Sequence, residues 1–243
     1  MPIVRGFKLN IDVDQLVRVS GGGGAQATIG QRALERYQQV VAEAPSLMDP
    51  ILLYEVFEVD HVGQDRLTLT SGHEFSGRLL AKFMRTASKV VLICCSIGPR
   101  LEERVAYYQR TGATAKAYLL DAVGSLAVDL VAQEARRLVR ELAESEGMSV
   151  SAPLSPGQSG WPLTDQRTLF ELLGPGRIGV SLSPSCVMNP LKSSTLAIGI
   201  GPELGESGET ACDYCPLKES CNFRSRTPSH GCDVATSPGP EGR

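Results

Sequence analysis

Val90-Val91-Leu92-Ile93-Cys94-Cys95-Ser96-Ile97-Gly98-Pro99 is the stretch whose reading decides the fold. A continuous apolar run that stops at Ser-Ile-Gly-Pro predicts a buried strand feeding a turn, with Cys94 and Cys95 as inert interior thiols. Downstream, residues 101–110 suit a helix, and the longest helix is expected over residues 115–146. Leu119, Val123, Leu126, Leu130, Leu138 and Leu142 mark its apolar stripe. Within it, Gly124, Ser125 and Ala127 are small enough to let another backbone or a ligand approach. Arg136, Arg137, Arg140, Glu141 and Glu144 suit a solvated face with intrahelical pairs.

Upstream, residues 52–62 and 66–70 predict two β segments joined at Gly63-Gln64-Asp65, and residues 77–87 a short helix. Residues 31–44 carry Leu34, Tyr37, Val41 and Ala44 at helical spacing and are closed by Pro45. The alternation Leu9-Asn10-Ile11-Asp12-Val13 predicts a half-buried strand, and the glycines 21–24 a flexible loop. Past Met148, Pro153, Pro156, Gly157, Gly160 and Pro162 enforce a loop, followed by a helix over 165–173 and strands over 178–182 and 195–200. Periodicity ends at Gly205, and residues 227–243 read as a mobile tail. The sum is an α+β protein of one domain over residues 1–204, a Cys-rich segment over 205–226 and a tail over 227–243.

A net charge of −3 supplies no basic field for nucleic acid, and no apolar run approaches the roughly 20 residues that cross a bilayer. The amino terminus lacks a basic region followed by an apolar stretch, so a cytoplasmic location is expected. In a reducing compartment, seven cysteines favour metal binding over disulfides.

The strongest chemical signal is Cys212-Asp213-Tyr214-Cys215-Pro216-Leu217-Lys218-Glu219-Ser220-Cys221. Two thiolates two residues apart turn toward one metal without strain, and a third completes one face of a cluster or tetrahedron. An iron–sulfur cluster leads, with structural zinc and free or redox thiols as alternatives. Cys232 is the local candidate for fourth ligand, Cys186 or a partner molecule the others, and His230 keeps a Cys3His zinc site open. Ser155-Pro156-Gly157-Gln158-Ser159-Gly160-Trp161-Pro162-Leu163 holds the single tryptophan in a Gly-Pro loop. It reads either as exposed amides beside a flat apolar surface or as a tight connection with Trp161 plugging the core. Met188-Asn189-Pro190-Leu191-Lys192-Ser193-Ser194-Thr195 sets a lysine and hydroxyls before a strand, fit for an anionic group or for satisfying turn amides. Asp121 shares an i, i+4, i+8 line with Ser125 and Asp129 and is expected to face a pocket. His61 and His73 read as surface residues.

The order Ser-Pro-Gly-x-x-Gly-Trp-Pro-Leu-x-x-Gln with Leu169-Phe170, then Ile178-Gly179-Val180-x-Leu182, then Met188-x-Pro190-x-Lys192-Ser193 resembles the activation domain of vitamin B12-dependent methionine synthase. It is most similar to the free-standing forms with a cysteine-rich end, over about residues 51–224. The resemblance implies a C-shaped unit with a central antiparallel sheet flanked by helices. It further implies a corrinoid protein or corrinoid-dependent methyltransferase as partner, with cobalamin carried by that partner. The family's ligand loop reads Arg-x-x-x-Gly-Tyr. Here Gly157 matches, but Pro153 and Gln158 stand at the other two anchors, which weighs against S-adenosylmethionine. The expected function is return of Co(II) to Co(I), a corrinoid-reducing activase activity, with an electron donor protein feeding a probable 4Fe-4S cluster. A zinc-holding corrinoid-protein binding module and an S-adenosylmethionine-dependent methyl transfer to a corrinoid are the alternatives. Gly157, Gln158, Trp161, Lys192, Ser193 and Asp121 are the expected ligand or docking residues, with Cys212, Cys215, Cys221 and Cys232 on the metal.

Overall fold

The structure, a computed structural model, describes residues 1–20, 30–158, 160–205 and 208–221. The glycine run at 21–24, the tail, His230 and Cys232 lie outside the described residues. The chain opens with strand β1 (Ile3–Arg5), helices α1 (Val13–Val19) and α2 (Gln31–Glu43), and strands β2 (Ile51–Val62), β3 (Arg66–Leu69) and β4 (Glu74–Ser76). Helix α3 (Arg78–Phe83), strand β5 (Lys89–Ser96), helices α4 (Arg100–Arg110) and α5 (Thr114–Ser145) and strand β6 (Ser149–Val150) follow. Helix α6 (Gln166–Leu173) and strands β7 (Ser181–Leu182), β8 (Met188–Asn189) and β9 (Ser193–Gly201) complete the elements.

The main sheet is open and antiparallel throughout, ordered β4-β3-β2-β5-β9-β6, with β1 beside the first residues of β2. Strand β5 is its centre. It pairs with β2 from Ile51 opposite Ser96 to Glu58 opposite Lys89, and with β9 from Ser193 opposite Ser96 to Ile200 opposite Lys89. Alternate side chains of β5 enter two separate cores. Val91, Ile93 and Cys95 pack with α1, α2, α4 and α5 on one face. Val90, Leu92 and Cys94 pack with α3, α6, the β3–β4 hairpin and Trp161 on the other. A strand covered on both faces has no wet side, and that is why its sequence runs apolar without alternation.

Several expectations need correction. Residues 9–13 form no strand. Asp12 instead caps α1, its carboxylate accepting the Asp14 N–H at 3.0 Å, and the N-terminal strand is Ile3–Arg5. Residues 178–182 are interrupted by a single-turn helix at Pro175–Ile178 and by Gly179 at φ +76°, leaving a strand of two residues. The buried stripe of α5 is made of small residues as much as leucines: Ala127, Ala135, Ala143, Val131 and Val139 are buried, while Leu142 is exposed and Leu130 and Leu138 are half-buried. A helix lying close against a sheet has no room for larger side chains there.

Three helices of the first layer meet at one carboxylate. Glu43, at the end of α2, accepts from Tyr108 Oη at 2.7 and 2.8 Å and from Arg104 at 2.8 Å on α4, and from Lys116 at 2.9 Å on α5. Burial works against its charge. The hydrogen bonds of Tyr108 and Lys116 and the nearby Arg104 outweigh that and hold the carboxyl below its ordinary range. A lowered folded-state pKa contributes stability that is present above the ordinary carboxylate pKa and lost as acid titrates the group. Replacement Glu43→Gln is therefore expected to cost about 1–3 kcal/mol in urea unfolding at neutral pH. The gap to the parent protein should close in acid; a gap that persists there would show that charge is not the cause.

Candidate functional site

An open depression of about 430 Å³ is lined by Asp65, Gly77, Arg78, Gly160, Trp161 and Pro162, among others. Two backbones meet at its floor. A Cβ built on Gly77 would lie 2.5 Å from the Gly160 carbonyl oxygen, so any side chain there would push the Trp161 loop outward. Trp161 is 2% exposed and packs edge-on against Phe75 at a centroid distance of 5.8 Å. Its Nε1–H donates to Asp165 Oδ2 at 3.0 Å, and the same oxygen accepts the Ser76 N–H at 2.7 Å. One carboxylate thus ties the tryptophan to the edge strand β4.

The loop spends its amides on itself. Gly157 N–H donates to the Trp161 carbonyl at 2.9 Å, Trp161 N–H to that of Gln158 at 3.0 Å, and Gln158 N–H to that of Ser155 at 3.1 Å. Gln158 Oε1 accepts the Ser155 N–H at 3.0 Å. Gly157, at φ +91°, holds a backbone conformation that side-chain-bearing residues avoid. Gly157 and Gln158 therefore close the loop from within, and those amides point to no outside ligand.

Lys192 sits elsewhere. Its ammonium reaches α5 on the opposite face of the sheet, 2.8 Å from Asp121 Oδ1 and 2.9 Å from Ser125 Oγ. Its stem lies across Gly124, where a Cβ would approach Lys192 Cε to 3.1 Å. The small-residue patch of α5 thus admits a lysine stem. Asp121 is paired with that lysine and half exposed, and the Lys192 side chain is 12% exposed. Ser193 is buried, its hydroxyl donating to Ser96 Oγ at 2.9 Å, and the Lys192 N–H donates to Glu102. Asp121, Ser125 and Lys192 come together as one cluster, while the Trp161 depression includes none of them.

Sequence reasoning missed Asp165, Arg78, Glu102 and the buried pair of Gln166 and Thr195, whose side chains hydrogen-bond each other at 2.9 Å. Gln166 ends the Trp-Pro-Leu-x-x-Gln motif, which was the available signal. Arg78 and Asp65 had none, because only the fold brings them to the depression.

The cysteines divide by environment. Cys94 and Cys95 are fully buried, and burial pushes both thiols up, Cys95 to about 12. Cys186 is buried in the β7–β8 turn, its sulfur accepting from Arg167 Nε at 3.4 Å. Cys212 and Cys215 are half-buried and Cys221 is exposed. Cys212 lies within a helical turn at Ala211–Tyr214, started by a reciprocal Thr210–Asp213 cap, and Cys215 ends that turn. Among the described residues no three His, Cys, Asp or Glu side chains gather so as to hold a metal ion. In this conformation the three thiols alone do not fit a cluster. Next to them, the hydrogen bonds that Lys82 donates to Glu209 and Tyr214 push its ammonium up, and those that Glu209 accepts from Lys82 and Tyr214 pull its carboxyl down.

No family model and no curated protein matches the chain. Among solved structures it is similar to the crystal structure of the MetH reactivation domain bound to AdoHcy, with a TM-score of 0.60 and 12% identity over 83% of this chain and 78% of that one. The chain therefore has the fold of the MetH reactivation domain, as the sequence resemblance implied. Among the described residues no helix is long and apolar enough to cross a membrane.

Asp165 should govern the depression's wall. Asp165→Ala removes the acceptor of two donors and is expected to cost about 2–4 kcal/mol, with a red shift in the emission of the single tryptophan. An unshifted emission maximum would mean that Trp161 is held without it.

Proposed function

We propose that this chain serves in reactivation of a corrinoid protein, docking on a partner that carries cobalamin and helping to return Co(II) to Co(I). The observation that carries the reading is the likeness to the MetH reactivation domain across four-fifths of both chains. The open depression supports it. Exposed Pro162 offers a small apolar edge and Arg78 a cation, a combination suited to holding part of another molecule. The test is direct: the chain is mixed with a cobalamin-loaded methionine synthase corrinoid domain under reducing, anaerobic conditions. Co-elution and a several-fold faster loss of the Co(II) paramagnetic signal are expected. Separate elution with an unchanged rate would end the proposal.

The finer form of the reading gives the cysteine segment an iron–sulfur cluster fed by an electron donor protein, with Cys232 as fourth ligand. Its support is the spacing Cys212-x2-Cys215-x5-Cys221, which suits thiolate ligation. The docking role stands without it, because the described thiols do not converge. Anaerobic reconstitution is expected to give iron and sulfide that Cys212→Ser and Cys215→Ser both lose. Zinc in their place would leave a binding module with a structural metal.

A second reading, S-adenosylmethionine-dependent methyl transfer to a corrinoid, is favoured by the AdoHcy bound to the MetH domain. Pro153 and Gln158 oppose it, the latter with its side-chain carbonyl already engaged by Ser155. No thermal shift with AdoHcy is expected, and a saturable one would revive this reading.

A further inference from the structure

The turn that carries Cys212 and Cys215 is fastened to the body of the protein by the residue between them. The Tyr214 ring stands edge-on to Phe83 at 5.9 Å between centroids, and its hydroxyl donates to Glu209 at 2.7 Å. Lys82 Nζ donates to Glu209 at 2.7 Å and to the Tyr214 hydroxyl, and lies 4.8 Å from the ring centroid. Phe83 is only 8% exposed and belongs to the core beneath the sheet, so the contact is anchored on that core. A lone surface ion pair contributes little. Here an ammonium, a carboxylate, a phenol and an aromatic edge meet at one point. The Thr210–Asp213 cap then fixes the backbone turn that joins Tyr214 to both thiols.

Helix α3 carries this contact at its end and the depression at its start. Gly77 and Arg78 line the depression, and Lys82 and Phe83 hold Tyr214. Arg78 and Lys82 are four residues apart on a helix and so share one face, about 6 Å from each other.

We infer that Lys82 and Tyr214 are positioning residues that hold the turn bearing Cys212 and Cys215 against the end of α3, one helical turn from Arg78 at the depression. The inference rests on the proposed function only in treating depression and thiols as one working face. A partner seated in the depression would then meet a cysteine-bearing turn already in place, with no segment left to order at the moment of docking.

The clasp is tested on the full chain, reduced and metal-free, without any partner, so the result stands whether or not corrinoid docking does. Iodoacetamide alkylation is followed by peptide mass mapping at Cys212, Cys215 and Cys186. Tyr214→Ala and Lys82→Met are expected to speed alkylation of Cys212 and Cys215 roughly three- to tenfold, as an opening equilibrium shifts. Lys82→Arg, which keeps the cation, should return the rates to within about twofold of the parent protein. Cys186 should be unaffected in every variant. Unchanged rates at Cys212 and Cys215 would overturn the inference. So would an equal rise at Cys186, which would mark loosening of the whole fold.

Discussion

Everything in this molecule is arranged around the burial of β5 on both faces. Val91, Ile93 and Cys95 face one core and Val90, Leu92 and Cys94 the other, each at 1% exposure or less. Full burial of a side chain of this size stabilises by about 1.5–3 kcal/mol relative to exposure. A sheet wet on one side would forfeit half of that. The helical layer of α4 and α5 and the opposite layer of α3, α6 and the Trp161 loop are therefore both obligatory. The Glu43 cluster then fixes how α2, α4 and α5 meet in the first layer, and Asp165 fixes the Trp161 loop to β4 in the second.

Much of this was legible because the strongest signals were also the longest. The run at 90–95, the segment at 52–62 and the helix over 115–146 each fell within one or two residues of the observed element. What escaped were places where a short polar signal outweighs apolar spacing. Asp12 starts a helix where alternation suggested a strand, and Gly179 with Pro175 breaks a strand where apolar residues suggested one. The stripe of α5 misled for a different reason. Leucines dominate a hydrophobicity count, but contact with the sheet selects alanine and valine because distance, not apolarity, is the limiting quantity.

The candidate site was legible in parts and not as a whole. Sequence reading counts the Trp161 loop and the Lys192 segment together among the ligand or docking residues. The alternation of β9 and the direction of its entry separate them. Thr195 faces Gln166 in the layer of Trp161, while the Lys192 ammonium crosses to Ser125 and Asp121 on α5. Asp121, expected to face a pocket, lies outside the depression, half exposed, and its partner is the chain's own lysine. No local pattern announces such a pairing, because the two residues are joined only through the packing of the strand turn against Gly124.

The residues that carry the sequence resemblance have structural work that accounts for them. Trp161 plugs a core, Gln166 satisfies Thr195, and Lys192 spans Gly124 to reach α5. Such positions answer to packing and hydrogen-bond satisfaction within this chain. Chemistry must then reside in groups that packing does not explain. Arg78, exposed at the depression, is of that kind, and at the other end of the same helix Tyr214, between Cys212 and Cys215, packs on Phe83. Two features with no common sequence motif are thus attached to the two ends of one short helix, the depression at its start and the cysteine-bearing turn at its end.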